Sequence, residues 1–130
     1  MRVFVFILLA FAVFEGTVAA HHSFGAEYDN NKPVTLTGSV SKVEWTNPHV
    51  HIFVDSKAED GTVTAWEFEL GSPNGLLRGG WTRNSLKPGS TVSIEGFRAK
   101  DGTNVGLART ITVNGKKMFA GSAESDAPAK

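Results

Sequence analysis

The stretch "VTLTGSVSKVEW" (residues 34–45) alternates apolar and polar side chains, a pattern that predicts a β-strand. Val40 keeps the parity of Val34, whereas Val43 falls on the opposite parity. One extra residue in a strand shifts the parity in this way, so we expect a β-bulge near Ser41-Lys42. A long first strand that bends at a glycine and a bulge is typical of a small β-barrel, because this strand must curve to take part in both sheets of the barrel.

The rest of the chain predicts further strands and one short helix. Ser72 as N-cap and Pro73 at the first helical position predict the helix, which Gly79-Gly80 ends. Asp101-Gly102 and Asn114-Gly115 predict tight hairpin turns. The predicted strands after the first are His49 to Asp55, Thr62 to Leu70, Thr91 to Phe97, Val105 to Val113 and Lys117 to Phe119.

This order of elements predicts an all-β protein. It is typical of a small OB-fold-like barrel of five to six strands, with one short helix between strands 3 and 4. The alternative is a small β-sandwich, which normally has more strands and no helix after the third. We therefore expect the OB-fold-like architecture.

The opening residues predict export. Arg2 is followed by an apolar run from Val3 to Phe14, and Val18-Ala19-Ala20 has the short side chains that a signal peptidase recognises. This run is too short to span a bilayer, so a periplasmic or secreted protein with no stable membrane span is expected after cleavage. The predicted organisation is a signal peptide (1–20), an N-terminal segment (21–33), an OB-like domain (34–119) and a disordered tail (120–130).

The composition excludes several classes of function. The chain has 13 Lys and Arg against 13 Asp and Glu, so its formal net charge is zero. Nucleic acid is bound mainly by neutralising phosphates, and a neutral chain therefore predicts no nucleic-acid partner. The absence of cysteine excludes thiolate metal sites and thiol catalysis.

The second predicted strand, "HVHIFVD" (49–55), carries the candidate site. If its valines and isoleucine face the core, His49 and His51 share the outer face. A turn at Asn47-Pro48 would place Glu44 opposite His51, and the third strand would bring Glu67 and Glu69 to the same face. Two imidazoles and up to three carboxylates then converge where OB-folds usually bind ligands.

The histidines that follow the predicted signal peptide indicate a specific type of metal site. Cleavage after Ala20 would make His21 the mature N-terminus, whereas cleavage after Ala19 would leave an alanine ahead of it. An N-terminal histidine offers its α-amine and its imidazole to one metal ion, and one further imidazole would complete a three-nitrogen histidine brace. This set suits copper(II) better than zinc. The candidate metal residues are His21, His22, His49, His51, Glu44 and Glu67, with copper as the candidate cofactor.

Two other interpretations of these residues stay open. The leading histidines could simply be solvated, with His49 and His51 in cross-strand pairs worth about 0.2–1 kcal/mol each. The chain could also be an interaction module that binds an envelope protein, a peptide or a glycan through its outer face and the loop "GSPNGLLRGGWTR" (71–83). Phe53, Trp81 and Trp45 would then be the stacking residues, whereas aromatic residues at this spacing are more often part of the core.

Nothing in the sequence marks a catalytic centre. No serine lies in a nucleophile-elbow pattern, and no Gly-rich loop has phosphate-binding spacing. A His–Glu pair could act as a base, but no oriented third group accompanies it. The protein is therefore predicted not to be an enzyme.

Four blocks of sequence resemble a family of small exported bacterial proteins known only as a domain of unknown function. They are "HHSFGAEYD" (21–29), "KPVTLTGSVSKVEWTNPH" (32–49), "WEFELGSPNGLLRGGWTRNSLKPG" (66–89) and "IEGFRAKDGTN" (94–104). The resemblance covers nearly the whole mature chain and implies a periplasmic or secreted single domain with no assigned activity. The positions that fall in the matching motifs are His21, His22, His49, Trp66, Glu67 and Trp81. His51 lies where the resemblance implies an aromatic residue.

Overall fold

The computed structural model describes residues 27–121, which form six β-strands and one short helix. The strands are β1 (Tyr28–Glu44), β2 (His51–Lys57), β3 (Val63–Glu69), β4 (Thr91–Ala99), β5 (Val105–Val113) and β6 (Lys116–Phe119), and the helix α1 is Pro73–Arg78. The predicted signal peptide, His21, His22 and residues 122–130 of the predicted tail lie outside the described residues.

The strands form one sheet in the order β3-β2-β1-β4-β5-β6, and neighbours in this order are antiparallel. β3 also pairs with β5 in parallel, from Glu67–Val105 to Glu69–Leu107. This extra pairing links the two ends of the run β3-β2-β1-β4-β5, as a barrel-like arrangement requires. The predicted OB-fold-like, all-β architecture, with a short helix between strands 3 and 4, is confirmed.

β1 has the bend that its sequence predicts. Its register with β2 shifts between Val40 and Lys42, so Ser41 is the extra residue of a bulge. At Gly38 the two strands approach so closely that a Cβ atom would lie 2.4 Å from the carbonyl oxygen of Asp55. The glycine is therefore needed for contact between β1 and β2.

β1 begins at Tyr28, well before the predicted Val34. Tyr28 pairs with Ala99 of β4, and the pairing then resumes at Pro33 opposite Phe97. The polar residues between these two points have no apolar alternation, so their sequence predicts a leading segment rather than a strand. The pairs that Tyr28 and Pro33 make with β4 on either side of them make them part of β1.

The domain also extends beyond the predicted start of the tail. Ala120 is fully buried. Its amide donates to the carbonyl of Arg109 at 2.7 Å, and its carbonyl accepts from the amide of Gly71 at 2.9 Å. Ala120 therefore belongs to the folded domain, contrary to the predicted boundary at residue 120, because its backbone joins β5 to the end of β3.

Two elements after β3 complete the core. Ser72 caps α1 as predicted, because its Oγ accepts a hydrogen bond from the amide of Gly75 at 3.1 Å. Trp81, which follows the helix, is 1% exposed and its Nε1 donates to the carbonyl of Phe119 at 2.7 Å. The indole therefore ties the segment after the helix to the end of β6.

Candidate functional site

The outer face of β2 presents the predicted histidines. Val50, Ile52 and Val54 are fully buried, as their parity predicts. His49, two residues before the start of β2, and His51, its first residue, lie on the other face, with side chains 36% and 32% exposed. The two imidazoles are therefore next to each other on one side of the strand, within reach of solvent.

β3 brings one glutamate to each histidine. His51 lies directly opposite Glu69 in the β2–β3 register, yet its Nδ1 bonds the Oε1 of Glu67 at 2.9 Å. Likewise, Nδ1 of His49 bonds the Oε1 of Glu69, which lies diagonally across from it. The predicted approach of Glu67 and Glu69 to the two histidines is confirmed.

These two bonds determine which ring nitrogen is available. An ionised carboxylate can only accept a hydrogen bond, so the Nδ1 atoms of His49 and His51 must carry the protons. In a neutral imidazole the other nitrogen, Nε2, then has a free lone pair. A carboxylate behind the Nδ1 atom is the usual companion of a metal-binding histidine, because it orients the ring and raises its basicity.

Glu69 has a second partner that the sequence did not indicate. The hydroxyl of Tyr28 donates to its Oε2 at 2.5 Å. Since the other oxygen accepts from His49, Glu69 lies in a continuous chain of hydrogen bonds from Tyr28 to His49. The Glu69 side chain is only 13% exposed, so few water molecules can compete for these positions.

Tyr28 is buried at the start of β1. It packs with Ala99, Leu107 and Val105 in a small apolar cluster separate from the main core. Burial raises the pKa of its hydroxyl well above the ordinary value, and the hydrogen bond to Glu69 and the negative charge of that carboxylate raise it further. The raised pKa keeps the Tyr28 hydroxyl protonated, and so a hydrogen-bond donor, at pH values where an ordinary tyrosine already ionises. In the sequence Tyr28 lies in the block "HHSFGAEYD" (21–29), and nothing there marked it as a site residue.

The titration of Tyr28 provides a direct test of this arrangement, because it is the only tyrosine in the chain. A raised pKa in the folded state contributes stability below the ordinary tyrosine pKa of about 10. That contribution is lost as the pH rises further. We expect the ultraviolet absorbance of tyrosinate to appear together with alkaline unfolding, followed by circular dichroism, rather than before it. Ionisation of a still-folded protein near pH 10 would contradict the burial and the bond to Glu69.

Glu44, the remaining predicted carboxylate, has a different partner. It pairs with His51 across the β1–β2 register, as predicted, but its Oε1 accepts a hydrogen bond from the Nζ of Lys42 at 2.6 Å. That bond, and to a smaller extent the charges of Lys42 and His51, hold the pKa of Glu44 below its usual value. The Lys42 ammonium also lies 5.2 Å from the centre of the Phe53 ring. Glu44 is thus an ionised, solvent-exposed partner of Lys42 beside the histidines.

The described histidines and carboxylates do not by themselves make a metal centre. Within residues 27–121 no three His, Asp or Glu side chains are grouped closely enough to hold a metal ion. His49 and His51 are each brought to one glutamate, whereas His21 and His22 lie outside the described residues. The structure thus brings together two histidine–glutamate pairs on one face.

Of the three aromatic residues that were candidates for stacking on a ligand, two are packed in or against the core. Trp81 is buried, so it cannot stack on a ligand, because the core and the carbonyl of Phe119 already occupy both its ring and its Nε1. Trp45 is half-buried and packs against the main core. Phe53 alone of the three is on the outer face, next to Lys42.

Comparison with known proteins places the chain in a family. The sequence model that defines DUF6152, a family of unknown function, matches residues 10–110. The chain belongs to this family. No curated protein matches it. Within the described residues, no helix of this DUF6152 member has the length and apolar character needed to cross a membrane.

Among the solved structures similar to this DUF6152 protein are a single-stranded DNA-binding protein and a PriB domain. The mitochondrial single-stranded DNA-binding protein Rim1 of S. cerevisiae has a TM-score of 0.50 at 10% identity, over 64% of this chain and 93% of its own. The N-terminal domain of PriB from Thermoanaerobacter tencongensis has a TM-score of 0.44 at 21% identity, over 64% and 96% of the two chains. At 10% identity the likeness to Rim1 shows the OB-fold alone.

Proposed function

We propose that this protein is a small periplasmic, non-enzymatic carrier of a divalent metal ion, with copper(II) as the first candidate. The proposed ligands are the α-amine and imidazole of His21 and the Nε2 of His49. His22 and His51 supplement them. The observation that carries the proposal is that His49 and His51 each have Nδ1 bonded to a carboxylate, which leaves Nε2 as the nitrogen with a lone pair in the neutral ring.

The glutamates have distinct roles in this proposal. Glu69 orients His49, and Glu67 orients His51. Glu44, the other carboxylate predicted to support the site, is bonded to Lys42 and receives no ligand role. Because carboxylates occupy both Nδ1 atoms, any metal ion is bound on the solvent side of the face, through Nε2.

The anchoring of Tyr28 supports the participation of the N-terminal histidines. Tyr28 is bonded to the same glutamate that orients His49. An extended chain from His22 to Tyr28 spans at most about 20 Å. A mature N-terminus at His21 is thus within covalent reach of His49, where its amine and imidazole would add to a pair of imidazoles that cannot make a site alone.

The chemistry of the donors favours copper(II). An amine and two or three imidazoles form a nitrogen set that suits tetragonal copper(II) better than tetrahedral zinc. We propose no nucleic-acid partner despite the DNA-binding relative in fold, since the net charge is zero. The apolar run and short side chains of residues 1–20 support export to the periplasm.

The alternative, an interaction module for an envelope protein, a peptide or a glycan, ranks second. The burial of Trp81 removes the main aromatic residue from the loop 71–83 on which that alternative depends. What remains accessible there is chiefly Leu77, which is 49% exposed, and on the outer face Phe53 beside Lys42.

Copper(II) titration of protein matured by its own signal peptidase tests the proposal, with intact mass fixing the N-terminus. Two matched variants accompany it: a copy with one extra glycine before His21, and His49→Ala. We expect tight one-to-one binding with several nitrogen couplings in paramagnetic resonance, and weaker binding with altered couplings in both variants. Weak binding that is equal in all three proteins rejects the metal function. Tight binding that survives His49→Ala assigns the copper to the N-terminal residues alone.

A further inference from the structure

The charged side chains of the folded domain are unevenly divided along the chain. Residues 27–70 contain eight acidic and three basic side chains, whereas residues 71–121 contain two acidic and eight basic ones. The net charge of zero therefore conceals an acidic half, built from β1 to β3, and a basic half, built from α1 to β6. Such a charge asymmetry indicates an anionic partner for the basic half.

In the basic half, the loop that follows α1 lies directly against β6. Trp81, in this loop, donates from Nε1 to the carbonyl of Phe119 at 2.7 Å. Gly80 lies so near Met118 that a Cβ atom added to the glycine would be 3.7 Å from the methionine Cε. The exposed side chains of α1, its loop and β6 therefore belong to adjacent elements.

Four exposed cations on these elements have no carboxylate within ion-pair distance among residues 27–121. They are Arg78 at the end of α1, Arg83 and Lys87 in the loop, and Lys116 at the start of β6. The neighbouring Lys117 differs, because its Nζ lies 2.6 Å from the Oε2 of Glu95. No acidic residue occurs within residues 71–94 or 102–121, so the four positive charges are not neutralised by their own segments.

Two large apolar side chains are exposed on the same elements. Leu77, in α1, is 49% exposed, and Phe119, at the end of β6, is 45% exposed. Successive side chains of a strand point to opposite faces, so Met118 packs against the core while Phe119 points away from it. Val63, the other exposed large apolar side chain among the described residues, lies at the start of β3 in the acidic half.

We propose that α1, its loop and β6 form a docking surface for a lipid bilayer rich in anionic lipids. The docking surface consists of the side chains of Leu77, Arg78, Arg83, Lys87, Lys116 and Phe119. Each cation near an anionic bilayer raises the affinity about fivefold, and the apolar side chains enter the headgroup region. The surface shares no residue with the histidine face, so the inference does not rest on the proposed metal function.

The composition of this surface favours a bilayer over a macromolecule. A stable protein interface buries about 800 Å² on each partner around an apolar core, and two apolar side chains do not supply one. Single-stranded nucleic acid is bound by cations together with stacking aromatic rings, to which Leu77 adds nothing. A lipid surface is fluid and requires no shape complementarity, so a few apolar side chains with several cations suffice.

Co-sedimentation with vesicles tests the proposal. The protein is matured by its own signal peptidase, because the apolar residues 3–14 would bind lipid themselves. It is mixed with vesicles of phosphatidylcholine alone, or of phosphatidylcholine and phosphatidylglycerol in equal amounts. We expect binding to the anionic vesicles only, and weaker binding at high salt, because salt screens the charges. No binding to the anionic vesicles overturns the proposal.

Lys87→Gln and Lys57→Gln are a matched pair, since each removes one exposed lysine and changes the net charge equally. Lys57 is the last residue of β2, in the acidic half. We expect Lys87→Gln to lower the affinity for anionic vesicles about fivefold, and Arg83→Gln with Lys87→Gln about 25-fold. Lys57→Gln should bind like the wild type. An equal loss in the two single variants would show that net charge attracts the lipid, and this overturns the docking surface.

Leu77→Ser distinguishes a bilayer from a soluble anionic partner. The variant should bind anionic vesicles about five- to tenfold more weakly, because the leucine no longer leaves water. A single-stranded oligonucleotide and polyglutamate serve as soluble anions, and they should bind both proteins equally and more weakly than vesicles do. Soluble anions that bind as tightly as vesicles, with no effect of Leu77→Ser on either, would assign the surface to an anionic macromolecule and overturn the membrane proposal.

Discussion

Glu69→Gln is expected to lower the copper(II) affinity of the protein by about 10- to 100-fold, the usual cost of losing the partner of a metal-binding histidine. The glutamine side chain has nearly the same shape, but it has a donor where the carboxylate has only acceptors. Its carbonyl can still accept from Tyr28, and its amide group then faces Nδ1 of His49. The imidazole must respond by moving its proton to Nε2.

The proton on Nε2 is what weakens metal binding. A metal ion can bind that nitrogen only if the imidazole gives up its hydrogen bond or its proton. Because the variant keeps the Tyr28 contact and the size of the side chain, we expect little change in the free energy of unfolding. Competition titration with a chelator of known copper affinity measures the effect.

Glu67→Gln is the matched control, since it makes the same change behind His51. With His49 as the main ligand and His51 as a supplement, this control should cost less affinity than Glu69→Gln. Equal affinity in Glu69→Gln and the wild type would show that Nε2 of His49 does not bind the metal. A larger loss in Glu67→Gln would assign the main role to His51.

Trp81→Ala is expected to lower the free energy of unfolding by about 3–5 kcal/mol, the range for removing a large aromatic side chain from a core. Trp81 is 1% exposed, so the truncation leaves a cavity. It also leaves the Phe119 carbonyl without the indole donor that now lies 2.7 Å away. In a domain whose total stability is about 5–15 kcal/mol, this is a large fraction.

Urea unfolding followed by circular dichroism measures this loss. Leu77→Ala is the control within the same loop, because that side chain is 49% exposed; it should stay within about 0.5 kcal/mol of the wild type. Trp81→Phe keeps an apolar ring but not the donor, so it should fall between the two. This variant keeps the comparison measurable even if the alanine variant does not fold. A loss below about 1 kcal/mol in Trp81→Ala would show that Trp81 is not part of the core.

The architecture was predictable because its determinants are local. The parity change between Val40 and Val43 predicts the bulge that the structure places at Ser41. The alternation in "HVHIFVD" (49–55) separates the buried valines and isoleucine from the two histidines. Once the faces of β2 and β3 are known, an antiparallel hairpin brings Glu67 and Glu69 to those histidines.

The errors arose where local pattern and tertiary contact disagree. The polar residues after Tyr28 have no alternation, yet pairing with β4 places the start of β1 there. Trp81 follows two glycines in a polar loop, so its local pattern left open whether the ring is accessible or part of the core; the core and the Phe119 carbonyl bury it. Ala120 has no feature of its own, and its burial comes from the partners of its backbone.

The sequence by itself determined the fold class, the strand faces and the set of candidate ligands, because alternation and turn residues act over a few neighbouring positions. Only the tertiary structure decided how these residues are partnered. It assigned Glu69 to His49 and to Tyr28, Glu67 to His51, and Glu44 to Lys42. Such choices depend on register, side-chain reach and burial between strands that are distant in the chain, and composition and spacing do not encode them.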